Sequence, residues 1–199
     1  LQKNAEFRRE FIADISHELK TPIFATQGYI HTLLDGAIDD KQVRMKFLKR
    51  AAKSLDSLDN LVQDLLTLNQ MESGVIKFVY TDFDLKEVID EVIEELEHKA
   101  SKRKVNISFK YDSDKSYVTH ADRQKIYRVC QNLIFNAVKY NHDEGEVKIS
   151  LKTQKNHIQV DIKDDGQGIP PEDLKRIFER FYRVEKSRNK KEGGTGLGL

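Results

Sequence analysis

Apolar positions in the N-terminal part of the chain recur with a helical period. From Leu1 to about Asp35 the pattern is helical, and after the turn-forming "DGAIDD" a second helix is predicted from about Lys41 to Glu72. In that second helix Leu48, Ala51, Leu55, Leu58, Val62 and Leu65 recur at steps of 3, 4, 3, 4 and 3, the seam spacing of a coiled coil, and Leu61 and Leu68 widen the stripe. A lone two-helix hairpin buries only part of such a surface. Two hairpins pairing as a four-helix bundle bury the rest, so the pattern predicts a homodimer through residues 1–72.

Gly74 follows "NQMES" as a helix stop, and the periodicity then changes. "VIKFVYTDFDL" reads as extended, Leu85 to about Ser101 as an amphipathic helix, "KVNISFKY" as a strand and Ala121 to Tyr140 as a helix. "EVKISLKT" and "HIQVDIKD" alternate with period two, which predicts two strands joined through "QKN" in a tight hairpin. Helices and strands mix without strict βαβ alternation. The predicted fold class is therefore α+β: a helical hairpin followed by an α/β sandwich whose helices cover one sheet face.

Composition agrees with two modest domains, because 199 residues at 38% hydrophobic and 34% charged support real cores under a heavily solvated surface. With 34 basic against 33 acidic residues there is no global field to recruit nucleic acid or an anionic membrane, so function must rest on local sites. The single cysteine, Cys130 in "YRVCQNLIF", has no internal disulfide partner and reads as a thiol inside a helix. No apolar run approaches the roughly 18 residues that cross a bilayer, and no secretory signal opens the chain. A cytoplasmic segment is expected, with any membrane anchor in parts absent from this chain. The start inside a helical pattern and the stop at "GGTGLGL" read as truncations of a longer protein.

Candidate chemistry begins at "DISHELKTP". At about 100° per residue, Phe11, Ile12, Ile15, Leu19 and Ile23 share one arc, His17 lies nearly opposite, and Glu10 and Thr21 fall within about 40° of it. An exposed His among polar residues is ordinary on its own. A neutral imidazole nitrogen is nonetheless a competent nucleophile near neutral pH, and a carboxylate such as Glu18 can accept its other proton. Pro22 removes a helical hydrogen bond beside the His, and Thr21, one turn on, can orient a water at a group attached to it. Further along, "CQNLIFNAVKYN" sets Asn132 and Asn136 four apart, with Lys139 and Tyr140 just beyond, a spacing that suits metal and phosphate. "DIKDDGQGIPPEDL" leaves a strand for a Gly-rich turn before a predicted helix; Gly166 and Gly168 admit close backbone approach and Asp164 offers an acceptor for an exocyclic amine.

"SHELKTP" resembles the H-box of bacterial sensor histidine kinases of the commonest dimerisation and phosphotransfer type, and "QGYIHTLLDGAIDD" resembles the rest of that helix and its turn. The resemblance implies that His17 is the phosphoacceptor, that Glu18 assists as base and that Thr21 supports phosphatase action. "CQNLIFNAVKYN" resembles the N-box, which implies Mg²⁺ on Asn136 and nucleotide contacts from Asn132, Lys139 and Tyr140. The Gly-rich turn is similar to the G1 box, which assigns adenine recognition to Asp164 and nucleotide contacts to Gly166, Gly168 and Ile169; Asp165 stands where the family often has Asn. "IFERFYRVEKS" resembles the F-box, with Phe178 and Phe181 as packing anchors and Arg183 as a stabiliser of the transferring phosphoryl group. "GGTGLGL" resembles the G2 box of the ATP lid, where Gly194, Thr195, Gly196, Leu197 and Gly198 would approach phosphates, and the basic run Lys186 to Lys191 reads as solvated.

Five motifs in family order imply a dimerising hairpin at residues 1–74 and an ATP-binding domain of the GHKL (Bergerat) type at residues 80–199, joined by a hinge at Met71 to Tyr80. The helix and strand that normally follow the G2 box are missing. The implied activity is ATP- and Mg²⁺-dependent phosphorylation of His17, then transfer to an Asp of a response-regulator receiver domain. Two other classes compete with it: an ATPase or clamp of the wider nucleotide-binding fold, which has no H-box, and a non-catalytic dimeric signalling module.

Overall fold

The computed structural model describes residues 2–73, 77–184 and 196. Cα packing divides the chain into two units, Leu1–Ile76 with Glu179–Gly198, and Lys77–Phe178.

In the first unit α1 (Gln2–Thr32) continues through Pro22. Thr26 lies one turn after the proline and donates from Oγ1 to its carbonyl at 2.8 Å. A π-helical turn at Leu33–Ala37, with Gly36 at φ 111°, reverses the chain into α2 (Lys41–Glu72). Asp40 caps α2 by accepting the Gln42 and Val43 amides at 2.9 and 3.1 Å. The two helices form the predicted hairpin, closed by buried Thr26, Leu33, Ala51 and Leu61 and by the Tyr29 and Phe47 rings at 5.8 Å. The predicted seam divides here. Ala51 and Leu61 are buried within the hairpin, whereas Leu48, Leu55 and Val62 stay exposed and align with exposed Met45 and Leu66. A single hairpin thus leaves one apolar stripe of α2 in water, as the geometry of two helices requires.

The second unit is α+β. Strand β1 (Tyr80–Asp84) leads into α3 (Leu85–Lys102), followed by β2 (Asn106–Lys110), β3 (Val118–Asp122), α4 (Arg123–Lys139), β4 (Glu146–Gln154) and β5 (His157–Asp164). Strands β1 and β3 pair as an antiparallel ribbon. The main sheet has the order β2-β4-β5, parallel in its first pair and antiparallel in its second. Strand β4 alternates as predicted: Val147, Ile149 and Leu151 are buried, while Lys148 and Lys152 face solvent. Against that inner face pack Val88, Ile89, Val92 and Leu96 of α3 and Ile134, Ala137 and Val138 of α4. Gln154 pairs with His157, so the β4–β5 hairpin turns through Lys155 and Asn156.

Two local expectations change. Ala121 and Asp122, read as the start of a helix, belong to β3, because the Asp122 carboxylate is the N-cap of α4 and fixes the helix start at Arg123. The helix expected after the Gly-rich turn is absent among the described residues: 171–181 form successive turns, tied by Asp173 N–H to the Pro170 carbonyl at 2.9 Å and Arg176 N–H to the Asp173 carbonyl at 2.8 Å. These are i→i+3 bonds, which do not propagate an α-helix.

Asp122 also accepts the Val79 amide at 3.0 Å and the Lys125 amide at 3.1 Å, and these donors, Val79 first, hold its carboxyl below the usual carboxylate range. A depressed folded-state value contributes stability above the unfolded pKa of about 3.9 and loses it as pH falls through the folded value. Asp122→Asn should therefore lower the urea midpoint at pH 7, and the gap from the unaltered chain should close on acidification below about pH 4. Urea titrations of both proteins across that range measure it.

Candidate functional site

The phosphoacceptor candidates lie on α1. Its partly buried positions include Phe11, Ile15 and Leu19, and this phase leaves His17 exposed. Glu18 is half-buried beside it, and Thr21 is exposed, its Oγ1 donating to the His17 carbonyl at 3.3 Å. In the same compact unit the Phe11 ring meets Phe181 at 5.9 Å between centroids, with the Arg180 guanidinium 5.6 Å from the Phe11 ring. Phe181 has φ 61°, and its amide donates to the Gly196 carbonyl at 2.9 Å. A Cβ on Gly196 would stand 2.6 Å from the Phe181 backbone, so only glycine fits under that turn. Arg183 is half-buried in this segment. Phe178 corrects its expectation, being 70% exposed rather than packed, since the turns of 171–181 give it no helical face to bury. Gly194, Thr195, Leu197 and Gly198, with the run Lys186 to Lys191, lie outside the described residues.

The nucleotide candidates gather at the C-terminal end of α4. Cys130, Ile134, Ala137 and Val138 are buried, which leaves Asn132 and Asn136 on the opposite side of the helix, half-buried, with Lys139 and Tyr140 at its end. Lys139 Nζ donates to the Tyr140 hydroxyl at 3.2 Å and lies 4.8 Å from that ring's centroid. The Gly-rich turn meets this end directly. Asp164 is exposed, its Oδ1 accepts the Gly166 amide at 3.0 Å, and the Gln167 amide donates to the Tyr140 carbonyl at 3.3 Å. A Cβ on Gly166 would come within 2.6 Å of that carbonyl. Gly168 has φ 66°, and Ile169 beyond it is exposed. The Tyr140 carbonyl thus joins the end of α4 to the turn Asp164 to Gly168, with Lys139, Asn136 and Asn132 set back along the same helix.

Sequence reasoning missed the groups that brace this meeting. Asp165 accepts the Glu146 amide at 2.7 Å, the principal cause of its lowered carboxyl pKa. Asn141 is buried, its Nδ2 donating to the Glu146 carbonyl at 3.2 Å. Arg103 reaches from the end of α3 to backbone carbonyls of residues 138, 139 and 141. No motif marks these contacts; the buried Asn beside the N-box was the available hint. Cys130 is buried, and burial pushes its thiol pKa up, which suits a structural thiol. Among the described residues no group of three or more His, Cys, Asp or Glu is placed to hold a metal, so a cation here would depend on amide oxygen and on its ligand's own oxygens.

Residues 7–74 match the family described as His Kinase A (phospho-acceptor) domain, and residues 121–199 match the Histidine kinase-, DNA gyrase B-, and HSP90-like ATPase. The chain is 33% identical over 201 residues to the sensor histidine kinase WalK of Bacillus subtilis (strain 168), covering 100% of this chain and 32% of that protein. It is 38% identical over 197 residues to the sensor protein kinase WalK of Staphylococcus aureus, covering 96% of this chain and 46% of that one. The chain therefore spans less than half the length of these curated relatives. Among solved structures, the histidine kinase AdeS of Acinetobacter baumannii superposes with a TM-score of 0.70 at 31% identity, over 91% of this chain and 82% of that one. The histidine kinase ThkA, in complex with the response regulator protein TrrA, superposes with a TM-score of 0.74 at 26% identity, over 92% and 53%.

The contact between Gly166 and the Tyr140 carbonyl generates a test. Gly166→Ala places a methyl where the carbonyl already sits, and overpacking of this kind costs about 1–3 kcal/mol. Its urea midpoint should fall accordingly, and amide exchange at Gln167 should quicken as that hydrogen bond opens.

Proposed function

The chain belongs to the sensor histidine kinases, and from that premise we propose that it joins two working parts of a longer enzyme: a phosphoacceptor hairpin at residues 1–74 and an ATP-binding domain at residues 80–199. The chain transfers the γ-phosphoryl group of ATP to His17 and passes it to an Asp of a response-regulator receiver domain. The observation that carries this reading is the exposure of His17 on α1, in a chain whose other unit presents Asn136 and Asp164 around one helix end.

The residues divide the work. A neutral imidazole nitrogen of His17 attacks phosphorus, the phosphorus–oxygen bond to ADP breaks, and Glu18 takes the proton from the other ring nitrogen. Such a transfer depends mainly on positioning and charge neutralisation, the part assigned to Lys139 and Arg183. Asp164 spends Oδ1 on the Gly166 amide, and its exposed carboxylate keeps acceptor capacity for the adenine amine. Asn132 and Tyr140 line the phosphate side of α4, and Gly168, Ile169 and the Gly194 to Gly198 segment complete the contacts. The amide oxygen of Asn136 is a hard ligand of the kind Mg²⁺ accepts beside phosphate oxygens and water, and the ion would neutralise phosphate charge. Thr21, once rotated off the His17 carbonyl, orients the water that removes phosphate from the regulator.

The partners follow the same chemistry. The exposed stripe Met45, Leu48, Leu55, Val62 and Leu66 on α2 is the surface that a second copy covers, giving a four-helix bundle. A regulator seen with ThkA supports the choice of a receiver domain as acceptor. Among the described residues no helix is long and apolar enough to cross a membrane. We place these two parts on the cytoplasmic side, where ATP and receiver domains reside, with the anchor of the full-length protein in the inner membrane outside this chain.

Incubation with ATP labelled in the γ-phosphate should give acid-labile, alkali-stable label on the unaltered chain, and His17→Gln should reduce it to background. Mass spectrometry should place the phosphate on His17; acid-stable label, or label surviving the substitution, would overturn the reading. Thr21→Ala should keep the labelling and slow the loss of phosphate from the regulator, followed by native gel electrophoresis.

A further inference from the structure

We propose that Arg103 is a positioning residue for nucleotide binding, whose guanidinium fixes the C-terminal end of α4 against the Asp164 to Gly168 turn. The inference rests on the reading of that helix end and turn as the two sides of the ATP site. A helix ends with carbonyls that lack intrahelical donors. At the end of α4, Arg103 Nη1 donates to the Val138 carbonyl at 3.3 Å and, more closely, to that of Lys139, while Nη2 donates to the Asn141 carbonyl at 2.7 Å. The Tyr140 carbonyl between them accepts the Gln167 amide of the turn. Four consecutive carbonyls, 138 to 141, are thus met from outside the helix, three of them by one side chain. The cation also sits where the helix dipole is negative.

The placement of Arg103 is built rather than accidental. At the end of α3 the Val105 amide donates to the Ala100 carbonyl at 2.9 Å and the Lys104 amide to the Ser101 carbonyl at 3.0 Å, the paired bonds of a Schellman cap, with Lys104 at φ 55°. The returning loop fastens to the same corner. Its Glu144 amide donates to the Arg103 carbonyl at 3.2 Å, its Glu144 carboxylate pairs with Lys104 at 2.8 Å, and its Asp143 lies 3.6 Å from Arg103 Nε. From there Asn141 reaches the Glu146 carbonyl and Asp165 the Glu146 amide, so the chain of bonds ends in the turn that carries Asp164.

A nucleotide held by Asp164 at its base and by Asn136 and Lys139 at its phosphates must span both sides of this joint. Loss of Arg103 lets the end of α4 shift, and the bound ligand must then reorder it at its own expense. A lysine retains the charge but, as a compact single-point donor, does not reach three carbonyls at once.

Calorimetric titration of the full chain with ADP and Mg²⁺ is read beside the folded fraction from urea titration, because reversibly unfolded molecules raise the apparent Kd only by the reciprocal of that fraction, and a variant more than nine-tenths folded owes any larger rise to positioning. Arg103→Met should raise Kd roughly tenfold or more at unchanged stoichiometry, with Arg103→Lys between it and the unaltered chain. An unchanged Kd in a folded variant, with or without reduced stoichiometry, overturns the inference. If circular dichroism shows Arg103→Met unfolded, Arg103→Lys decides by the same criterion. Failure of the unaltered chain to bind ADP overturns the nucleotide reading itself and the inference with it.

Discussion

Burial of one helical face determines what the other face can present, and both candidate sites follow from that constraint. On α4 the buried positions Cys130, Ile134, Ala137 and Val138 occupy one arc, and the helical period puts Asn132 and Asn136 on the other side. On α1 the partly buried Phe11, Ile15 and Leu19 do the same for His17. On the two helices no special backbone is needed, only a core that holds each helix at one rotation; the Gly166 and Gly168 turn beside α4 is the part that does need one. That core is strong in the second unit, where Val88, Ile89, Val92, Ile134 and Val147 are completely buried.

The hairpin is the less complete of the two. Its exposed residues Leu48, Leu55 and Val62 repeat every seven positions, the spacing of a coiled-coil seam. Turning α2 to bury these residues within one hairpin would expose Leu61, which lies about 120° round the helix from their centre, so no rotation of a single hairpin satisfies the whole stripe. The outward position of His17 on α1 and the exposed stripe on α2 are thus both set by how one hairpin closes on itself.

What was legible in the sequence was periodic. The seam residues gave the hairpin, the alternation Val147, Ile149, Leu151 gave β4, and the "QKN" interruption gave the β4–β5 turn. Strand β3 was not legible, because its inward positions Thr119 and Ala121 are small and its last residue, Asp122, carries a helix cap that reads as helix. The expected helix after Gly168 failed for a related reason: "PPEDL" has the composition of a helix start, but its backbone bonds close as separate turns. Motif residues on α4 and in the Gly-rich turn were legible through resemblance. Their bracing was not, since Arg103 binds carbonyls 35 to 38 residues away, and any residue in those positions offers the same carbonyl.

That invisibility has a physical consequence for how the site is built. Contacts of side chain to side chain depend on both partners' identity, but a guanidinium on bare carbonyls depends only on where the backbone lies. Arg103 therefore senses the position of the end of α4 and not its sequence, and the Gln167 amide senses the same backbone from the other side. Residues facing a ligand can change chemistry on such a frame without loosening it. The neighbours 164 and 165 are an instance: the Asp165 carboxylate serves the frame through the Glu146 amide, while Asp164 beside it stays exposed.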